Sequence, residues 1–348
     1  MKKYFFLVAG LLTAVLSCNK QNALPPLPEP AAITEDSGTL HVSVGTADTK
    51  ASLSGLDDES IRCLQVLIFN ADTQKLETDK YVSASSASLT SPVGNKHVWA
   101  IVNHSRLTNV TTETALKSTV TSLAENYTTG SGIHLVMAGE KDVEVTQSSN
   151  QVNIDVTRLV SKIVLTAVTR KFADTFLAGS SFTIKDVYLK NVAGNTNFSL
   201  DKKNNGTEWD ILAPSSWFNP LTDANDATVS PLLCDHNLSI ACAENTATSI
   251  NRVWYTCPNP TSDDSTSSSW CARHTRLVIH ADVSGTQTYY TFTLPVLKRN
   301  CSYEISNITF TMLGKDNDND DTVTDTGAAS ITLNVVDWDT STALTYDI

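Results

Sequence analysis

The 348-residue chain is poor in charge, and it has no long hydrophobic run beyond its first residues. Charged residues make up 18% of it, and acids outnumber bases to leave a formal charge of −12 at pH 7. A surface of that sign repels phosphate backbones, which excludes nucleic acid as a partner. No segment after residue 17 reaches the roughly 20 consecutive apolar residues that a membrane-spanning helix needs. Catalytic signatures are missing too. The sequence has no G-x-S-x-G elbow, no P-loop, no G-x-G-x-x-G and no H-E-x-x-H, so nothing in it calls for an enzyme or for a cofactor. It holds no C-x-x-C pair, and His236 and His274 complete no zinc-ligand spacing, so no metal is expected. There is no short internal repeat.

What is present begins at the N-terminus. Lys2 and Lys3 precede a largely apolar run from Tyr4 to Leu16, broken only by Gly10 and Thr13. That run has the length of a signal-peptide core. It stops at Val15-Leu16-Ser17-Cys18, an arrangement similar to a lipobox. On this reading residues 1–17 are removed and Cys18 is acylated on its thiol, each buried methylene contributing about 0.8 kcal/mol to anchoring. Residues 18–38 follow as a tether. Leu24-Pro25-Pro26-Leu27-Pro28-Glu29-Pro30 has little to pack and reads as extended and semi-rigid. Six cysteines remain, Cys63, Cys234, Cys242, Cys257, Cys271 and Cys301. An exported chain meets an oxidising compartment, so at least one disulfide is expected in the second half. Sequence does not choose among the pairings.

Thr, Ser, Asn and Val are abundant, and they favour strands and turns over helices. Leu40, Val42 and Val44 alternate with polar residues, which marks a half-buried strand. Further strands are expected at 63–70, 98–102, 134–138, 143–145, 152–156, 158–165, 182–190, 275–283, 288–297, 302–312 and 329–338. Gly139-Glu140-Lys141-Asp142 reads as a turn. One helix is expected between Thr112 and Ala124, because Leu116, Val120 and Leu123 fall on one helical face. Residues 258–269 and 315–326 are polar loops. The Asp316–Asp321 run lacks the glycine and closing glutamate of a calcium loop and reads as solvated. Many short strands, turn-rich spacing and one short helix predict an all-β chain of sandwiches.

Several local patterns resemble the FimA-like fimbrillins, the lipoprotein subunits of type V pili. They are Leu64-Gln65-Val66-Leu67-Ile68-Phe69-Asn70-Ala71, Trp99-Ala100-Ile101-Val102-Asn103, Val136-Met137-Ala138-Gly139 and Arg158-Leu159-Val160-Ser161-Lys162-Ile163. Lys298-Arg299-Asn300-Cys301-Ser302-Tyr303-Glu304-Ile305 and Val335-Val336-Asp337-Trp338 complete the series. The resemblance covers residues 40–348 and rests on the order and spacing of these patterns. It implies two transthyretin-like β-sandwich domains in tandem, residues 39–156 and 157–348, with the short helix in the first. Such subunits travel as lipoproteins to the outer membrane and lose their first strand to a protease. A neighbouring subunit then fills the vacated groove with a strand of its own.

Carried onto this chain, the removable plug strand is Leu40, Val42 and Val44. The cut falls between Lys50 and Ala51, since Lys50 is the only basic residue in the polar stretch 46–52. Here the chain departs from the pattern of arginine at the cut, and Lys50 also reads as a solvated loop charge. The next arginine, Arg62, lies just before a strand. The donor strand is the tail beyond Trp338, with Leu344, Tyr346 and Ile348 as its apolar knobs; the same tail also reads as the last strand of its own sheet. The implied partners are other fimbrial subunits, in a homopolymer or a mixed pilus, and the outer membrane through the lipid anchor before processing. A receptor on a host or bacterial surface is left open. The alternative reading is a surface-anchored glycan-binding lipoprotein, with Trp209, Trp217, Trp254 and Trp270 as a sugar platform or as packing.

Overall fold

In the computed structural model, the described residues are 36–46, 60–206, 208–219, 229–262, 271–319, 328–337 and 343–347. Alternation along the first strand, β1 (Ser37–Thr46), buries Leu40 and Val42 and turns Thr39 and His41 towards solvent. Next come β2 (Leu64–Asn70), β3 (Leu76–Val82), β4 (Ser86–Pro92) and β5 (Gly94–Val102). A short helix, α1 (Glu113–Ser118), precedes β6 (Met137–Val145) and β7 (Ser149–Arg158). These strands run in the order β3-β2-β5-β6-β7-β1-β4. Strands β6 and β7 pair only at Thr157↔Ala138 and Arg158↔Met137, so the ladder turns a corner there. Four strands thus face three across one core. Leu64, Val66, Ile68, Val98 and Ala100 from the larger face meet Leu40, Val42, Leu89, Val152 and Ile154 from the smaller.

Strand β2 is buried on both faces, and its apolar run is correspondingly unbroken. Its outer residues Leu67 and Phe69 pack with Trp99 and Ile101 of β5 beneath Leu116 of α1 and Phe198. Glu113, in the first turn of α1, is itself buried. Its carboxylate lies 2.7 Å from His97 Nδ1, accepts the Trp99 indole N–H at 3.2 Å, and sits 3.5 Å from Lys117 Nζ. A buried carboxylate must be satisfied in this way or neutralise, so this contact fixes α1 to the sheet.

The second half has the same logic with larger sheets. It contains β8 (Ser161–Arg170), β9 (Phe182–Lys190), β10 (Ala247–Thr256), β11 (Arg276–Val283) and β12 (Thr286–Thr293). The last three strands are β13 (Cys301–Phe310), β14 (Ala329–Asp337) and β15 (Ala343–Asp347). One sheet runs β10-β8-β13-β14-β15; the other runs β9-β11-β12, with the short strands Cys234–Asp235 and Ile240–Ala241 on β9. Ile163, Leu165, Trp254, Tyr303 and Ile305 of the first meet Phe182, Leu189, Leu277, Ile279 and Tyr290 of the second in a single core. The halves are stitched together by an antiparallel pairing of Val120–Ser122 with Asn195–Asn197. Residues from Asp36 onwards form one contact unit.

Three expectations need correction. The helix expected over 112–124 lasts only from Glu113 to Ser118. Thr112 caps it, its hydroxyl accepting the Ala115 N–H at 3.1 Å. Beyond it Thr119 ends the helix and the strand Val120–Ser122 begins with two β-branched residues, and Val120 is 48% exposed, so the apparent helical face is not one. Two unexpected four-residue helices occur in the second half, Thr175–Ala178 and Ser230–Leu233. The turn expected at Gly139–Asp142 is mid-strand, paired with Val98 to Ala100 and neighbouring residues of β5. Gly139 is there for close approach: a Cβ would meet the Asp155 carbonyl oxygen at 2.3 Å. Finally, the disulfide expected in the second half does not involve Cys234, Cys242 or Cys257, which are free thiols. Cys242 and Cys257 lie within the core as small apolar residues, and burial pushes the Cys257 thiol up to about 12.

Candidate strand-exchange site

Strand β1 is the middle strand of the three-stranded face. On one edge it pairs in parallel with β7, from Thr39↔Ser149 to Thr46↔Val156. On the other it pairs antiparallel with β4, from Ser37↔Pro92 to Ser43↔Ser86. Side chains on its outer face add polar contacts. His41 Nδ1 lies 2.6 Å from Ser88 Oγ, Ser43 donates to Asn153 Oδ1, and Asn150 Nδ2 donates to the Thr39 carbonyl at 3.2 Å. Its inner face is apolar. Leu40 and Val42 are fully buried, and Val44 is half-buried against the same core. At about 1.5–3 kcal/mol for each fully buried side chain of this size, the inner face contributes several kcal/mol. Gly38 is the second residue of the strand, where a Cβ would lie 1.9 Å from the Thr146 carbonyl oxygen, so only glycine fits.

Taking β1 away would expose two ladders of backbone groups, on β4 and β7, and an apolar trench between them. Among the described residues, β1 is the first strand in chain order and is paired along both edges. The predicted plug residues Leu40, Val42 and Val44 share one row on the inner face of β1. Lys50 and Ala51 lie outside the described residues, as does Cys18. Arg62 is exposed; its backbone N–H donates to Asn103 Oδ1 at 2.8 Å and its guanidinium to the Ser131 carbonyl at 2.6 Å. Asn103 closes β5 in the left-handed region, and its amide donates to the carbonyls of Ser60 and Leu135. These contacts explain the asparagine that ends the Trp99–Val102 run, since asparagine tolerates that backbone.

The predicted donor tail is found as β15, at the edge of the larger second-half sheet. Leu344 stands opposite Val335 and Tyr346 opposite Leu333 in an antiparallel ladder with β14. Ile348 lies outside the described residues. An edge strand carries one ladder only, so it leaves a sheet at lower cost than β1 does.

One polar cluster missed by sequence reading lies on the outer face of β9 and β11. Cys234 Sγ is 3.0 Å from His236 Nε2, and His236 Nδ1 is 3.4 Å from Asp186 Oδ1. His280 Nδ1 lies 2.6 Å from Asp186 Oδ2 under a stacked Tyr289 ring. Burial pushes the Cys234 thiol up, the reverse of what a nucleophile needs. Among the described residues, no group of three or more His, Cys, Asp and Glu side chains is arranged to hold a metal ion. The cluster acts as a clamp. Burial raises the Asp186 carboxyl, but hydrogen bonds from His280, the Asn237 backbone and His236 outweigh it and hold it below its ordinary value. A depressed carboxyl stabilises the fold above its unfolded pKa of about 4 and loses that contribution as pH falls through the folded value. Asp186→Asn is expected to lower the unfolding midpoint at pH 6–7. The gap from wild type should close on acidification below about pH 4, as a pH series of denaturant melts would show.

The aromatic residues also separate. Trp254 is buried in the core, and Trp217 is half-buried in a two-residue strand paired with Val192–Ala193. Trp209 is half-buried and lines a cavity. Trp270 lies outside the described residues. The three described tryptophans, one buried in the core and two half-buried, do not form one flat platform.

No protein-family model matches the chain, and no curated protein sequence matches it. Solved structures do. The fold is similar to that of a candidate cell-adhesion protein from Parabacteroides distasonis, with a TM-score of 0.62 and 18% identity over 87% of this chain and 97% of that one. A candidate cell-adhesion protein from Bacteroides eggerthii matches with a TM-score of 0.57 and 16% identity, over 87% and 96%. The fimbrilin FimA from Porphyromonas gingivalis matches with a TM-score of 0.57 and 15% identity, over 86% and 97%. The chain thus has the all-β sandwich fold found in a fimbrilin and in candidate adhesion proteins, and none of these three is named as an enzyme.

Proposed function

We propose that the chain is a structural pilin subunit of a cell-surface fimbria, exported as a lipoprotein and polymerised by strand exchange, supporting adhesion. The observation that carries this reading is the position of β1, a strand central in its sheet, apolar on one face and adjacent to the N-terminal segment. The fold shared with a fimbrilin and with candidate adhesion proteins supports it. In this reading Cys18 carries the lipid to the outer membrane, residues 39–156 and 157–348 act as two domains, and cleavage after Lys50 frees β1. The tail bearing Leu344, Tyr346 and Ile348 leaves its edge position and fills the groove of the next subunit. The joint is heterologous, so it propagates a filament instead of closing a dimer. Other fimbrial subunits are the partners, and the working location is the fimbrium.

Mass spectrometry of the protein from native cells tests this, before and after boiling in SDS. A mature form beginning at Ala51, in a ladder that collapses only on harsh heating, is the expected result. A monomer that keeps lipidated Cys18 at its N-terminus would exclude polymerisation by strand exchange.

A further inference from the structure

A cavity of about 400 Å³ opens where Thr157, at the end of β7, meets the segments around Trp209 and Arg299. Its walls are of two kinds. Trp209, Ile211 and Leu297 supply apolar surface, while Lys202, Lys203, Lys298 and Arg299 face it with four positive charges. The cavity's one carboxylate, Glu208, is already shared: it lies 3.5 Å from Lys203 Nζ and 3.9 Å from Lys298 Nζ. In a chain of net charge −12 this is a local reversal of sign.

Arg299 is the decisive residue. It is 2% exposed, and its terminal nitrogens donate to the Ser199 and Asn197 carbonyls at 2.5 and 2.6 Å and to Thr196 Oγ1 at 2.9 Å. All three acceptors are neutral. Its Nε–H has no hydrogen-bond partner, and no carboxylate among the described residues forms an ion pair with it. Burial lowers its pKa to about 10, so it stays charged at neutral pH. A buried guanidinium without a counter-charge is costly, and an anion arriving in the cavity relieves that cost. Next to it stands Trp209, whose ring centroid is 5.9 Å from Arg299 Cζ and 2.9 Å from Lys202 Nζ.

We propose that this cavity is a binding site for a carboxylated sugar, such as a uronic or sialic acid unit of a glycan. The carboxylate meets Lys298, with the buried Arg299 charge behind it, and the C–H face of the ring takes the place of the Lys202 ammonium against the Trp209 indole. Both halves of that chemistry are needed. Inorganic phosphate satisfies the charge and leaves the apolar wall wet. A neutral hexose covers the indole and leaves Arg299 uncompensated. The volume falls in the range of about 300–1,000 Å³ usual for small-ligand sites. This site does not depend on strand exchange, and either reading stands if the other fails.

The test is calorimetric titration of the full mature chain with glucuronate, N-acetylneuraminate, glucose and inorganic phosphate. At least one of the two acids should bind at least tenfold more tightly than either glucose or phosphate. Lys298→Gln and Trp209→Ala should each weaken that binding at least tenfold, with an unchanged unfolding midpoint. Lys298 is exposed, so its variant keeps the test sound if Trp209→Ala fails to fold. Binding of neither acid, glucose or phosphate binding as tightly as the acids, or full affinity in Lys298→Gln would each overturn the proposal.

Discussion

Leu40→Asp is expected to lower the stability of the fold by at least about 3–5 kcal/mol at neutral pH, the scale of an uncompensated buried charge. Leu40 is fully buried in the middle of β1, in one apolar cluster with Leu64, Val66 and Ile154. The introduced carboxyl would be held neutral by burial, so its folded pKa lies above the unfolded one. The deficit is then largest above the folded pKa and shrinks as pH falls towards about 4. Thr39→Asp, one residue away on the exposed face, should change stability by no more than about 0.5 kcal/mol. Chemical denaturation of both variants at pH 7 and pH 4.5 separates these outcomes. Equal effects at the two positions would mean that β1 does not sit in the groove. Leu40→Asp should also make the segment after β1 more readily cut by added protease, because a loosened plug opens locally more often.

Trp99→Ala is the second large effect. The side chain is fully buried between β2 and α1, and its loss leaves a cavity worth about 3–5 kcal/mol. It also removes one of the hydrogen bonds to the buried Glu113 carboxylate. The remaining neighbours, His97 and Lys117, still face Glu113, so the charge is not orphaned outright. A drop of about 10 °C or more in the melting temperature is expected. Because the Phe198 segment packs on the same cluster, the pairing of Asn195–Asn197 with Val120–Ser122 should lose hydrogen-exchange protection at the same time. Trp99→Phe, which keeps most of the volume, should cost less than half as much. A Trp99→Ala variant as stable as Trp99→Phe would contradict the packing described.

Strands buried on one or both faces were legible wherever the apolar residues were dense. Leu64–Asn70 and Phe182–Lys190 match their expected ranges within a residue, and the Leu40–Val44 alternation marks the centre of β1. Strands without such density were not. Leu76–Val82 and Ser86–Pro92 carry few apolar residues because one face of each is solvated, and no strand was expected there. The false helix over 112–124 shows the opposite failure. Leu116 and Leu123 are both buried, but they serve a helix and a separate 3₁₀ turn on either side of a strand, so their spacing mimics one helical face. At the candidate site, the inward-facing residues of β1 could be picked out by period two alone. Their central place between β4 and β7 could not, because it depends on a parallel pairing across more than a hundred residues. The cavity at Trp209 and Arg299 was illegible for the same reason: its walls come from residues near 157, 209 and 299.

The most direct test of strand exchange uses the full mature chain with a specific protease site placed in the segment 47–59. Its partner is the same protein truncated after Asp337. After cutting, the full-length protein should release the β1 fragment and form a ladder that survives SDS at room temperature and collapses on boiling. The truncated protein, which has an equal groove and no donor, should release β1 and stay monomeric. If the truncated protein builds the same ladder, or the cut full-length protein keeps β1 and stays monomeric, exchange between β1 and the C-terminal strand is not how these subunits join.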